Sequence, residues 1–584
     1  MRPSTRRLLP VAAGVLALAA AGLLLADSAG RARAEFEAVR DALPALQDAV
    51  VDGDDARADA ALAAVQRGAA DAHAETSGPL WDVAGFVPVL GRTLRAVHEL
   101  SAVVDDLATG PLPRLTATAQ DLSPDRLRTA PDAIDLSGVR RAAGSLTLAS
   151  TEVQRAQAAL ARMELRAVAR PVLEAHDELA NRMADLEGLL ETAATAAELL
   201  PPALGDEGPR RYFVAFQTNA EARGTGGMVG AYGILEADAG RLQFIRLGDD
   251  RELTRLPPPR LSFGPDFEAL HGPHHRIWQN TNTTAHFPYA AQLWLDMWEQ
   301  AAGDRLDGAL AIDLVGLADL LAASGPVDLA DGERVTAENA VALTGRDAYA
   351  RFDGDNAARK RFLVDVAGAV ADHVLTGGGG DPVHLLRTLR DAAAERRLLA
   401  WSAHADEQTV LEQADLAGAV PDGPGPFAAV VVNNAAGNKL DYYLDREVAY
   451  ELGACAGGRR PSSVVVRLHN DVPDHELPDY VDARTDLPDR PRGRGSTLLG
   501  VAVYTAQGAE LVSASLDGQP VPVSFRAERG HPVLVVPVEL ARQQTRELTL
   551  QLDEPAVPGP PVVLEQPLIR PQSTTVRDEA CLDG

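Results

Sequence analysis

The sequence predicts a multidomain chain with an N-terminal transmembrane helix, an all-α helical stalk or bundle, a central α/β domain and a C-terminal β-sandwich. Three changes of pattern along the 584 residues predict this order. An uncharged apolar run opens the chain and a long stretch of helical spacing follows. Short β-like runs then appear, first interleaved with helices and later without them. With 46% hydrophobic and 24% charged residues, the balance is that of a folded chain.

The opening run, Leu8 to Ala26, is nineteen residues long, enough for a helix to cross a hydrocarbon layer of about 30 Å. Arg2, Arg6 and Arg7 precede it, which predicts a cytoplasmic N-terminus and an extracytoplasmic bulk, although Arg31 and Arg33 weaken the asymmetry. A cleaved signal peptide is the competing reading. Asp27 argues against it, because it would stand three residues before a cut after Ala29. Residues 1–30 are therefore read as a cytoplasmic stub and anchor, placing the protein in the cell membrane as a single-pass chain.

Residues 31–203 are rich in Ala, Leu, Glu and Arg at three- and four-residue spacing, which predicts the helical stalk or bundle. Val153, Ala156, Leu160 and Met163 form one stripe before Pro171. Gly78 to Leu94 departs from the pattern, with Trp81, Phe86, Val87 and Val89 among glycines and prolines. It reads as a corner between packed helices or as an apolar wedge lying on a membrane surface.

Residues 204–424 predict the α/β domain. YFVAFQ, MVGAYGILEA and RLQFIRLG read as strands, and a helix follows with Ala290, Leu293, Trp294, Met297 and Trp298 on one face and Gly303 as its stop. LDGALAID is a further strand, and two more helices, Ala357 to Leu375 and Pro382 to Trp401, close the domain. Residues 425–556 hold six or more short strands with Asp517-Gly518 as a hairpin turn, and Leu548, Leu550 and Leu552 share one face. Residues 557–584 read as an extended C-terminal tail.

A net charge of −28 excludes a nucleic-acid partner, which needs a concentrated basic surface. Nearly all basic residues are arginine; Lys360 and Lys439 are the only lysines. Cys455 and Cys581 lack metal-ligand spacing and form a disulfide or stay free, the former tying the tail to the last domain. Four histidines, His271, His274, His275 and His286, lie close together in a loop-like stretch without ligand spacing, so a zinc site is the weaker reading. No nucleophile elbow or Walker loop is present.

Asn219 to Gly233 is the most unusual local run. Gly226 and Gly227 beside Arg223 suit close backbone approach to a phosphate, while a tight turn between two strands explains the same glycines. Together with LDGALAID, LLAASGPV, the helix bearing AARKRFLVDVAGAV, the Trp81 corner and NKLDYYLDREVAYELG, this run resembles the actinobacterial membrane-anchored domain of unknown function 4012 family. That resemblance implies an architecture and no activity.

Arg211 to Leu375 is also similar in its order of features to the LytR-CpsA-Psr family, which transfers polyprenyl-pyrophosphate-linked glycopolymers to the bacterial wall. Arg223 stands where that family has the arginine of Arg-Ser-Asp. FIRLGDD, ending in Asp249 and Asp250, stands where it has Pro-Arg-Asp, and LTGRDAYARFDGDNAARKRFL supplies Arg351, Asp355, Arg359 and Arg361. The resemblance implies an LytR-CpsA-Psr-like central domain. Arg223, Arg351, Arg359 and Arg361 would hold the phosphates, and Asp250 would be the catalytic carboxylate, bound to a magnesium ion or taking the acceptor's proton. The chain departs from the pattern at Thr225 and Asp249, which removes a metal ligand and a clamp.

The leading expectation is an extracytoplasmic cell-envelope protein that binds a phosphate-bearing polyprenyl lipid or an envelope glycopolymer. A structural or interaction protein of the envelope and an active glycopolymer phosphotransferase are the alternatives.

Overall fold

A computed structural model describes residues 8–87, 90–122, 126, 128–130, 133–376, 378, 382–486 and 494–579. They form two compact units, one of residues 1–129 and 134–202 and the other of 130–133 and 203–584.

The first unit is helical: α1 (Leu8–Val51), α2 (Asp55–Glu75), α3 (Pro79–Ala84), α4 (Leu90–Thr109), α5 (Pro111–Asp121), α6 (Leu136–Ala161) and α7 (Arg170–Ala203). Asp54 and Asp135 start α2 and α6 by accepting hydrogen bonds from the first-turn amides of Arg57 and Ser137. The predicted stripe is buried, with Val153 and Leu160 almost inaccessible, and it packs with Leu100, Val103 and Met183. At the corner Trp81 is buried and its indole donates to Ser28 Oγ at 3.0 Å, whereas Val83 and Phe86 are exposed.

The separate transmembrane helix expected at the N-terminus is corrected by this fold. The run from Leu8 belongs to a 44-residue helix that continues without a break through Asp27, Arg31 and Glu35, and its later turns bury Ala32, Val39 and Leu46, Val39 beside Val65 and Ala69 of α2. Among the described residues no helix is long and apolar enough to cross a membrane. The side chains of residues 8–26 lie outside what is described.

The second unit begins with a sheet of mixed direction. Its strands are β1 (Arg210–Arg223), β2 (Gly226–Asp238), β3 (Arg241–Asp249), β4 (Gly308–Asp313) and β5 (Leu398–Ser402), side by side in the order β3-β2-β1-β4-β5. Only β1 and β4 are parallel. Alternation along β1 feeds two cores. Phe213 and Ala215 meet Trp294 and Met297 of α8 (Phe287–Ala302), while Val214 and Phe216 face Leu320 of α9 (Leu314–Ser324) and Ala367 of α10 (Asn356–Leu375). Gly303 ends α8 in the left-handed conformation, at φ 68°.

The helix expected from Pro382 to Trp401 stops early. Helix α11 spans only Pro382–Ala394, Arg396 takes φ 59°, and Leu398–Ser402 becomes β5, antiparallel to β4. Pairing of Leu399 and Trp401 with the sheet edge outweighs their compatibility with a helix.

Two further sheets pack face to face. Strands β6 (Phe427–Asn434), β9 (Thr497–Thr505), β12 (Ser524–Glu528), β13 (His531–Leu540) and β15 (Val562–Glu565) form one, in the order β12-β13-β9-β6-β15. Strands β7 (Leu444–Leu452), β8 (Arg459–Asn470), β10 (Glu510–Leu516), β11 (Gln519–Pro520), β14 (Thr545–Pro555) and β16 (Gln572–Asp578) form the other, in the order β11-β10-β14-β8-β7-β16. Val430, Val501 and Val536 of the first sheet meet Val464, Val466 and Leu550 of the second in one core. The stretch read as a tail thus supplies an edge strand to each sheet.

Strand β16 runs parallel to β7 and pairs Asp578 with Leu452, each three residues before a cysteine. Cys455 is disulfide-bonded, and Cys581 lies outside the described residues. Peptide mapping without reductant is expected to recover Cys455 linked to Cys581 within one chain; Cys455 linked between two chains would contradict the register.

Candidate functional site

At the ends of β1, β2 and β4, a cavity of about 60 Å³ opens between the sheet, α10 and the segment that leads into the sandwich. Phe216, Met228, Ile312, Leu317, Leu363 and Val366 make its walls apolar. Its polar end holds Asp250, Arg359, Lys360 and Lys439, with Tyr349 and Tyr480 beside them. Of the chain's 55 basic residues only two are lysine, and both lie here, buried.

Each cation is placed differently. Lys360 is ion-paired with Asp250, which follows the strand-ending Asp249 and opens a single helical turn. Lys439 is ion-paired with Glu221 at the end of β1. The Arg359 guanidinium lies over Tyr480 at 3.8 Å and Tyr349 at 4.8 Å from the ring centroids, and Nη2 donates to Asn356 Oδ1 at 2.6 Å. Among the described residues Arg359 has no carboxylate partner. Asp355 starts α10 by capping the Ala358 amide, and this places Arg359 and Lys360 as the fourth and fifth residues of the helix.

Burial sets the electrostatics. It pushes the Asp250 carboxyl up against the opposing pull of Lys360, and it pushes the Lys439 ammonium down to about 8. Nearby Asp441 is pushed up to about 6 by burial; it accepts from the Ala222 amide at 2.7 Å and from Asn434 Nδ2 at 2.8 Å, while its Oδ1 has no partner. Asp313 also lines the cavity, but it is spent on the Gly316 amide at 2.7 Å, Asn219 at 2.8 Å and Arg397 at 2.9 Å.

Of the residues singled out in the sequence, Asp250 and Arg359 come together here and the others do not. Arg223 is fully buried away from the cavity. Its guanidinium is consumed by Glu221 at 2.8 Å, the Gln279 carbonyl at 2.9 Å and the Ala222 carbonyl at 2.8 Å, and burial pushes it down to about 10. The phosphate-clamp role expected for Arg223 is therefore replaced by a structural one. Arg223 is also a positioning residue, because the carboxylate it holds is the one that holds Lys439.

Gly226 and Gly227 do not cradle a ligand either. The Gly227 amide donates to Gln217 Oε1 at 3.1 Å, and a Cβ there would come within 2.3 Å of the Thr218 backbone. Gly226 takes φ 129° in the tight β1–β2 turn. Arg351 is exposed and paired with Glu333 and Asp331, and Arg361 is exposed on α10 outside the cavity lining.

The histidines separate as well. His271 bonds Glu528 at 2.9 Å, His275 donates to the Gly272 carbonyl, His286 accepts from the Val420 amide, and His274 is exposed. Among the described residues no group of three His, Cys, Asp or Glu side chains is placed to hold a metal ion. The magnesium that the family resemblance implied does not fit: Thr225 replaces one ligand and bonds Gln217, and Asp250 is already neutralised by Lys360.

The residues that sequence reasoning missed are Lys360, Lys439, Tyr349 and Tyr480. The lysines carried a signal in their rarity, since a compact ammonium is not interchangeable with the guanidinium that the chain uses elsewhere. The tyrosines carried none, because nothing local distinguishes them from core residues.

Residues 207–349 match the family described as protein of unknown function (DUF4012). The DUF4012 segment carries β1 to β4, Asp250 and Tyr349; Arg359, Lys360, Lys439 and Tyr480 come from beyond it. No curated protein and no solved structure matches the chain.

Two outcomes check these assignments. Arg223→Met is expected to destabilise the second unit by about 3–5 kcal/mol, because it leaves buried acceptors and a carboxylate short of a partner, whereas Arg361→Ala is expected to change stability by less than about 0.5 kcal/mol. Comparable losses in denaturant unfolding would contradict the placement. His286 is buried as the neutral imidazole, its pKa pushed down to about 3 mainly by desolvation. The unfolded chain therefore gains a proton that the folded one refuses as pH falls below the ordinary value near 6.5. That costs about 1.4 kcal/mol per pH unit until the folded pKa is reached. His286→Asn, which keeps an acceptor for Val420, is expected to lose this part of the acid slope in urea titrations between pH 7 and 5.

Proposed function

We propose that the second unit binds a phosphate-bearing amphiphile, with the phosphoryl oxygens at Arg359, Lys360 and Lys439 and the first carbons of the chain against Phe216, Met228 and Ile312. The observation that carries this reading is the convergence of both lysines and an uncompensated arginine on one apolar-walled cavity in a chain of net charge −28. Buried cations are costly without anions. Here the carboxylates of Asp250, Glu221, Asp313 and Asp441 stand against Arg359, Lys360, Lys439, Arg223 and Arg397, which leaves one cation in excess, and Arg359 is the one without a carboxylate partner among the described residues.

Size limits the ligand. The cavity, about 60 Å³, is several times the roughly 10–15 Å³ that one water needs on the same measure. It takes a head group and the start of a chain, while a longer tail lies outside. A phosphate-headed polyprenyl lipid of the cell envelope, alone or carrying a glycopolymer, has this chemistry, and the resemblance to the LytR-CpsA-Psr family favours it. The disulfide at Cys455 supports an oxidising, extracytoplasmic setting. In this reading Asp250 holds Lys360 in place and does no chemistry, so the protein captures its ligand without turnover.

Calorimetry on the full chain with butyl phosphate, inorganic phosphate and butanol tests the proposal. Butyl phosphate is expected to bind most tightly and butanol not at all. Lys439→Met and Arg359→Leu should each weaken butyl phosphate about tenfold or more, the loss of a charge-assisted hydrogen bond. Arg361→Ala should leave it unchanged. Equal affinity of wild type and both cavity variants would remove the cavity from the binding site.

A further inference from the structure

The corner between α2 and α4 of the first unit sends its apolar residues in two directions. Trp81 and Ala84 of α3 are buried, and the Trp81 indole donates to Ser28 Oγ of α1 at 3.0 Å. Val83, Phe86 and Val87, spaced i, i+3 and i+4, are instead 69%, 84% and 46% exposed. Among the described residues of this unit the other exposed large apolar side chains, Leu43, Leu148, Leu189 and Leu200, stand singly along the sequence. A lone exposed leucine is ordinary, whereas three neighbouring apolar side chains with a phenylalanine at the tip form a patch.

The backbone of the tip is satisfied without water. The amides of Gly85, Phe86 and Val87 donate to the carbonyls of Trp81, Val83 and Ala84 at 2.8, 3.2 and 3.0 Å, and the Gly91 amide donates to the Val87 carbonyl at 2.8 Å. Arg95 Nη1 donates to the Gly85 carbonyl at 2.6 Å. Gly91 packs so closely on that carbonyl that a Cβ would come within 2.2 Å of it. A turn whose polar groups are spent on one another leaves water for an apolar medium at little cost.

Two features of the sequence select the medium. From Gly78 to His98, Arg92 and Arg95 stand against a single carboxylate, Asp82, in a chain of net charge −28. Ser28, which holds Trp81, comes two positions after the uncharged run Leu8 to Ala26 at the start of α1. An apolar tip flanked by arginine, beside the end of an apolar run, fits the boundary of a lipid layer, where rings enter the acyl region and guanidinium groups stay among head-group phosphates. A protein partner would account for the patch and not for the run.

We propose that this corner rests on a lipid surface, with Val83, Phe86 and Val87 inserted below the head groups and Arg92 level with them. The contact is interfacial and involves no span. It concerns the first unit alone, so it stands or falls independently of the anion cavity.

Co-sedimentation of the full chain with vesicles of phosphatidylcholine and phosphatidylglycerol tests this, beside the double variant Val83→Asp with Phe86→Asp. The wild type is expected to bind. The double variant should bind roughly tenfold less tightly or weaker still, with an unchanged unfolding midpoint, because both side chains face solvent. In Phe86→Trp, the emission added to that of the native tryptophans should be quenched by brominated phosphatidylcholine. Equal vesicle binding by the wild type and the double variant would overturn the proposal, as would unquenched emission from Phe86→Trp. So would self-association of the wild type that the double variant loses, since a second copy would then be what covers the patch.

Discussion

The buried ion network at the end of β1 is the constraint on which the second unit depends. Glu221 stands between Arg223 and Lys439, and Asp441 caps the same strand end through the Ala222 amide. These residues come from the first sheet and from the segment entering the sandwich, so the network joins the two parts. Arg223 also reaches the Asn434 carbonyl at the end of β6, and Gln566 returns a hydrogen bond to the Arg223 carbonyl at 2.6 Å. Charges this deep are held only by complete pairing, and here the pairing consumes nearly every donor. At the lysine cavity Arg359 has, among the described residues, no carboxylate partner.

That contrast separates the satisfied charges of the molecule from the one on which the proposed site relies. Arg223, Arg396 and Asp313 are satisfied by groups of the chain itself. Arg359 instead relies on two tyrosine faces and one asparagine, which hold a guanidinium in place without neutralising it. A cation fixed by aromatic rings keeps its charge available to an incoming anion. Lys360 and Lys439 are each held by one carboxylate, and in the proposed site their remaining ammonium protons are what an oxyanion would meet.

Much of the fold was legible in the sequence because it rests on local periodicity. The face of α8 and the alternation of Leu548, Leu550 and Leu552 are buried as their spacing implied, and Gly303 and Asp517-Gly518 take the positive φ that their positions require. The strand at Leu398–Ser402 was not legible, because its apolar run fits a helix as well and only the open edge of β4 decides. Nor was the pairing of residues 562–578 with strands more than a hundred positions earlier. The site was half legible. Asp250 and Arg359 stand in a recognisable motif, whereas Lys439 and Tyr480 reach the cavity from the sandwich side through contacts no local pattern encodes. Arg223 misled because a conspicuous arginine beside glycines looks alike whether its partners are phosphates or backbone carbonyls.

The central claim is that Arg359, left without a carboxylate partner among the described residues beside the ion-paired Lys360 and Lys439, marks an oxyanion site. A crystal structure of the full chain grown in selenate, a phosphate-sized anion with an anomalous signal, tests it most directly. The account predicts an anomalous peak inside the cavity within hydrogen-bond reach of the Lys439 ammonium and the Arg359 guanidinium. A cavity without that peak, with selenate bound only at exposed arginines, would contradict it.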